Sequence, residues 1–159
     1  MSTTQEYITW SQELSVGIQE LDEQHKILVA LINQLYNKAI LNKPDRLIIG
    51  SILNELAQYT IIHFAVEESL FRIFDYPDTA AHQQHHEQLK EELIKIQNKF
   101  NEGTPIDLDL MSFLRQWLKQ HIMKDDKQYK AFFLEKGFIA NWSKQRSWVG
   151  KIWDSIHLK

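Results

Sequence analysis

The chain has 159 residues, 43% apolar and 25% charged, with a formal net charge of −3, five glycines, three prolines and no cysteine. This is the length of a single domain with a core of its own, and the lack of cysteine excludes disulfides, thiolate metal sites and cysteine nucleophiles. No nucleic-acid partner is expected.

Few glycines and prolines and little β-branched alternation predict an all-α chain of long helices with short links. The opening MSTTQEYITW has neither a basic n-region nor an apolar h-region. No run approaches the roughly 18 apolar residues of a membrane span, so a cytoplasmic protein is expected. The segment ITWSQELSVGI has no sustained period and reads as an irregular arm. Helical spacing begins near Leu21 and continues through Leu28, Leu31, Ile32 and Leu35, giving a first helix over 18–41 that stops at Asn42-Lys43-Pro44-Asp45. The residue before a proline is pushed out of helical dihedrals, and Asp45 can cap the next helix. The second helix, over 46–74, turns Ile49, Ile52, Leu53, Leu56, Tyr59, Phe64, Leu70 and Phe71 inward, and Tyr76-Pro77-Asp78 breaks it. A third over 79–101 ends at Gly103-Thr104-Pro105, and a fourth runs from Asp107 to about 135. Four helices with short links predict an antiparallel up-down four-helix bundle over 1–137, with a C-terminal helical extension over 138–159.

Each helix carries metal-ligand chemistry. Residues four apart lie about 40° apart around a helix axis and reach a common point beside it. His63 and Glu67 in HFAVE have that spacing, and so do His82 and His86 in HQQHH. His121 and Asp126 in HIMKDD are five apart, which opens the angle to about 140°, too wide for one small ion but suited to a carboxylate reaching a second. His25 in DEQHK completes a set of five imidazoles and two carboxylates. A lone histidine is most often a hydrogen-bonded core residue. Three such pairs beside core-facing residues on three helices are not accounted for that way, because converging polar groups without a charge to bind cost several kcal/mol. Seven donors exceed one zinc site, and imidazole with carboxylate suits iron, so two metal ions fit the count.

The order and context of these residues, LDEQHK, HFAVEE, HQQHH and WLKQHIMKDD, with the leading TWSQELSVGI, resemble hemerythrin, in particular the single-domain bacteriohemerythrins, over about 7–137. The resemblance implies reversible dioxygen binding at a non-haem di-iron centre of two iron ions with an oxo or hydroxo bridge. Carried over by position, His82, His86 and His121 hold one iron, His25 and His63 hold the other, and Glu67 and Asp126 bridge them. The second iron keeps an open position for dioxygen. His85, about 100° around the helix from His86, points away from the irons, and His157 matches no motif. Glu68 and Asp125 are neighbours of ligands rotated off the ligand face, either surface charges or supports behind the ligands. Leu118, one turn before His121, with Trp117 and Ile122 beside it, is expected to wall the oxygen pocket and exclude water.

The imidazole-rich set contains no Glu-x-x-His pair of the kind ferritin-like oxidases use, which favours a carrier or sensor over an oxygenase, and no enzymatic activity is expected. Oxygen storage, delivery or scavenging is the leading expectation. An oxygen or redox sensor signalling through the tail, and a di-iron enzyme acting on peroxide or nitric oxide, are the alternatives. Residues 131–159 hold five Lys or Arg against two Asp or Glu, a net of +3, whereas the first 130 hold 13 against 19. Trp142, Val149, Ile152, Trp153 and Ile156 fall near one helical face of this tail. The tail therefore either packs across the bundle or docks on a partner, such as an oxygen-using enzyme or an anionic membrane surface.

Overall fold

A computed structural model of the chain describes residues 6–135, apart from the side chains of 124–127 and 134. The tail expected to form a helix over 138–159 lies outside the described residues. Among the described residues five α-helices occur in chain order: α1 (Gln19–Tyr36), α2 (Arg46–Ile73), α3 (Thr79–Asn101), α4 (Leu108–Gln120) and α5 (Lys127–Glu135). Short links reverse the chain after α1, α2 and α3. α2 packs against both α1 and α3, and α1 against α4. The Trp117 indole N–H donates to the Leu89 carbonyl at 3.2 Å, tying α4 to α3 and closing the ring of helices. The architecture is the expected helical bundle, and every apolar position assigned inward on the first two helices is buried.

Side-chain chemistry at the helix ends explains the links. Asp45 accepts from the backbone N–H groups of Leu47 and Ile48, and Asp107 from that of Leu110, each supplying acceptors that the first helical turn lacks. At the end of α3, Gly103 takes φ +113°, its N–H donates to Phe100 O, and Thr104 N–H donates to Lys99 O. This left-handed glycine stop satisfies the last carbonyls before Pro105. The α2–α3 turn uses the same device with Asp75 in glycine's place at φ 55°. There Tyr76 N–H donates to Phe71 O.

The helices differ from expectation in two places. The first does not run α-helically to Leu41: Asn37–Leu41 is a π-helical turn, where the Asn42 side-chain amide donates to the Asn37 carbonyl at 2.8 Å. The fourth is interrupted by a π-helical turn over His121–Asp126 before continuing as α5. In a π turn the backbone bonds i to i+5, so residues five apart become successive-turn neighbours. The five-residue spacing of His121 and Asp126, awkward in an α-helix, is one turn of this backbone.

α2 also comes nearer to a membrane span than the sequence reading allows, with 28 residues and an 18-residue window of mean hydropathy 1.2. It is apolar because it is sandwiched between α1 and α3, half of that window is buried in the bundle, and the helix also buries His63, Glu67 and Glu68. The irregular arm before α1 seals one side of the core with Ile8, Leu14, Val16 and Ile18. Asn33 holds it, accepting from the N–H groups of Tyr7 and Ile8 and donating to Ile8 O.

Candidate metal centre

Antiparallel packing gathers the chemistry at one end of the bundle. His25 lies early in α1, His63 and Glu67 late in α2, His82 and His86 in the first turns of α3, and His121 directly after α4. Alternating chain direction brings these positions to one level. All six side chains are buried. Asp126 closes the π turn, but its side chain is outside the described part of the structure.

The six side chains form two groups, each with ligand atoms within 4.8 Å of one another: His25, His63, Glu67 and His121, and Glu67, His82 and His86. Glu67 belongs to both. Within the first group, His25 Nε2 is 3.0 Å from His63 Nε2, and His121 Nε2 is 3.4 Å from His63 Nε2. Glu67 Oε1 lies 3.2 Å from His63 Nε2, 3.2 Å from His86 Nε2 and 3.5 Å from His121 Nε2. Ligands on metal bonds of about 2.1 Å stand about 3.0 to 3.4 Å apart at right or tetrahedral angles. The observed separations are close to those of donors around a cation. Glu67 Oε1 and His86 Nε2 are also fully buried with no hydrogen bond of acceptable geometry. Such orphaned groups cost free energy unless something charged satisfies them, so the donor set fits a metal ion.

Where His121 falls differs from the allocation the resemblance implies. Its Nε2 joins the His25 and His63 group. Its ring lies almost midway, with centroids 5.5 Å from His63, 5.4 Å from His86 and 6.4 Å from His82.

Partners behind the ligands fix their protonation. His63 Nδ1 lies 2.7 Å from Gln24 Oε1, and His86 Nδ1 lies 2.9 Å from Glu68 Oε2. An amide oxygen and a carboxylate only accept, so each Nδ1 donates. In a neutral ring the lone pair is then on Nε2, the atom facing Glu67. Gln24 is steadied in turn by donating to Glu20 Oε1 at 3.2 Å. Tyr129 on α5 donates its hydroxyl to Glu67 Oε2 at 2.7 Å, leaving Oε1 toward the three imidazoles. Burial by itself would raise the Glu67 carboxyl. When protonated, His63 and His121 place positive charge beside it, and together with the close His121 and His86 ring nitrogens this outweighs burial and holds Glu67 well below the usual carboxylate range.

Of the supporting residues, Glu68 is one that the sequence singles out, and it is buried behind His86. Sequence reasoning misses Gln24 and Tyr129. The available signals are a polar residue next to His25 on an otherwise apolar helix face and a tyrosine at core spacing, whose hydroxyl needs a partner when buried. Leu118, Trp117 and Ile122 are all buried around His121. Phe64 stacks on the His86 ring at 3.9 Å between centroids, adding an apolar wall. His85 joins neither metal group.

Comparisons with known proteins agree with this centre. The sequence profile of the hemerythrin HHE cation binding domain matches residues 16–133. The bacteriohemerythrin of Stenotrophomonas maltophilia is 32% identical over 122 residues, covering 77% of this chain and 78% of that protein. That of Methylococcus capsulatus is 34% identical over 124 residues, covering 77% and 93%. A hemerythrin-like protein of Naegleria gruberi is 34% identical over 122 residues, covering 77% and 90%. A crystal structure of wild-type hemerythrin superposes with a TM-score of 0.73 at 33% identity, covering 79% of this chain and 96% of that one. With the profile spanning most of the chain and four helices bringing buried imidazoles around a shared glutamate, the chain belongs to the hemerythrin HHE cation-binding family.

Proposed function

We propose that this protein binds dioxygen reversibly at a centre of two irons, for storage, delivery or scavenging of oxygen in the cytoplasm, and is a binder rather than an enzyme. The observation that carries the reading is Glu67, shared by two buried imidazole groups with one oxygen directed at three Nε2 atoms. In this reading His25 and His63 would hold one iron, His82 and His86 the other, with His121, whose ring lies almost midway, joining the latter, and Glu67 and Asp126 would supply the carboxylate ligands. Iron bound there would supply the electrons that dioxygen binding needs.

The chain's own residues do the remaining work. Gln24 and Glu68 orient His63 and His86 with their lone pairs inward. Tyr129 holds one Glu67 oxygen so that the carboxylate does not rotate. Leu118, Trp117, Ile122 and Phe64 keep water from the imidazoles, which favours release of oxygen unchanged over its protonation and loss. The test is to load the metal-free full chain with ferrous iron without air, count the iron, then cycle oxygen in and out. Two irons per chain and a colour that appears with oxygen and fades on its removal are expected. A single tightly held zinc in protein expressed with ample iron overturns the reading.

A further inference from the structure

Beside the candidate metal centre lies a cavity of about 220 Å³ lined by Asp78, Ala81, His82, His85 and Gln128. A cavity of this size has room for several waters and so for a hydrated divalent ion. One of its walls, His82, is a candidate ligand of the centre. It is also the described ligand with measurable exposure, at 5%, whereas His25, His63, Glu67, His86 and His121 are all at 0%. Solvent therefore comes nearest to the centre through this cavity.

The other polar walls suit a cation. Asp78 lines the cavity, is exposed and occupies the N-cap position of α3, and its side chain makes no capping hydrogen bond. His85 is half-buried on the same wall, one turn beyond Ala81. Gln128, from α5, is a further polar residue of the lining. Oxygen and imidazole nitrogen are the ligand types that iron accepts.

We propose that this cavity is the loading route of the metal centre: Asp78 and His85 capture a hydrated ferrous ion at the mouth and pass it to His82. The proposal rests on the di-iron reading of the centre. Capture exchanges metal-bound waters for the Asp78 carboxylate and the His85 ring nitrogen. Transfer exchanges those two for His82 and the sealed ligands behind it, and the ion stays ferrous throughout. The third imidazole of HQQHH, which the centre itself does not use, thereby acquires a role. A packed bundle with sealed ligands would otherwise admit a strongly hydrated cation only by opening its core.

A route changes rates and leaves equilibrium alone, and this separates it from a resident ligand. Metal-free full-length protein and the variants Asp78→Asn, His85→Gln and the double variant are mixed with ferrous iron without air. The unbound metal is trapped with a coloured chelator at timed intervals. The double variant is expected to load about tenfold more slowly, the scale of an electrostatic capture effect. Chelator extraction from its loaded form is expected to slow by a similar factor, with final iron content and thermal midpoint as in the parent. Loading at the parental rate, or normal rates with a lower final metal content, overturns the proposal. Zinc uptake is followed in parallel. If the parent refuses iron but takes up zinc faster than the double variant, the iron reading fails and the route stands. If iron loads normally in both, the route fails and the iron reading stands.

Discussion

The two ligand groups that share Glu67 are built differently behind their imidazoles. His63 leans on the neutral amide of Gln24, itself held by Glu20, and its group is sealed on every described side. His86 leans on the Glu68 carboxylate, whose other oxygen lies 3.9 Å from Arg72, and its group includes the ligand next to solvent. A carboxylate behind an imidazole raises its basicity and its grip on a metal more than an amide does. The half of the centre nearest water thus has the stronger anchor, and the half that is sealed relies on packing. If the six side chains hold iron as proposed, substitutions in each half and at the carboxylate between them test that division.

The largest effect belongs to the residue common to both halves. Glu67→Gln keeps the shape but removes the charge facing three Nε2 atoms, and it is expected to reduce bound iron to well under one per chain. His82→Ala, by contrast, should leave the sealed group able to hold one ion. Metal analysis of the folded variants decides it, and a Glu67→Gln protein that retains one full ion would mean that the carboxylate serves one group only.

Leu118→Ala probes the packing beside His121, whose ring lies between the two groups. Leu118 is buried one turn before His121. Truncation should cost about 2 to 5 kcal/mol in denaturant unfolding and, by admitting water beside His121, speed the loss of the oxygenated form. A normal rate of loss in an iron-loaded but destabilised protein would locate the wall elsewhere.

Glu68→Gln and Gln24→Met compare the two anchors directly. Losing a partner behind a metal-binding histidine typically lowers affinity about 10- to 100-fold. Glu68→Gln is expected at the upper end and only in its own group, and Gln24→Met near the lower end. Metal titrations against a competing chelator measure both, and equal losses would show that the acceptor's charge is immaterial.

These anchors are the part of the centre that the sequence discloses least. The four-residue pairs on α2 and α3 are legible because their geometry needs only the α-helical period. Glu68 is about 100° around from Glu67, which on a helix with one buried face means solvent. α2 packs against both α1 and α3, so the neighbouring face is buried as well. Tyr129 reaches Glu67 across 62 positions in sequence, a contact that no local period encodes. The π turn over His121–Asp126 departs from the α period altogether, so the α-helical angle does not apply to that pair. The helix start at Asp45 and the stop at Gly103, by contrast, are legible because a single side chain or its absence decides the backbone there.

The smallest expected effect concerns the turn that carries the solvent-side group. Asp75 ends α2 in the left-handed region at φ 55°, is exposed, and lies three residues before the cavity's Asp78. Two contributions there have the same sign. A side chain in that conformation costs up to about 1 to 2 kcal/mol relative to glycine, less for aspartate than for most residues. A negative charge at a helix C-terminus opposes the macrodipole by about 0.3 to 1 kcal/mol. Asp75→Gly removes both and should stabilise the metal-free protein by about 1 kcal/mol, offset in part by the extra freedom glycine gives the unfolded chain. Asp75→Asn removes only the charge and should recover less than half of that. Because neither change touches a ligand or its anchor, iron affinity in both groups should remain at the parental value. Urea unfolding of the two variants with a parallel metal titration makes the check. A shift in affinity confined to the His82 and His86 group would mean that the strained turn helps set the geometry of the solvent-side half, and the contrast between the halves would then extend from their anchors to their backbone.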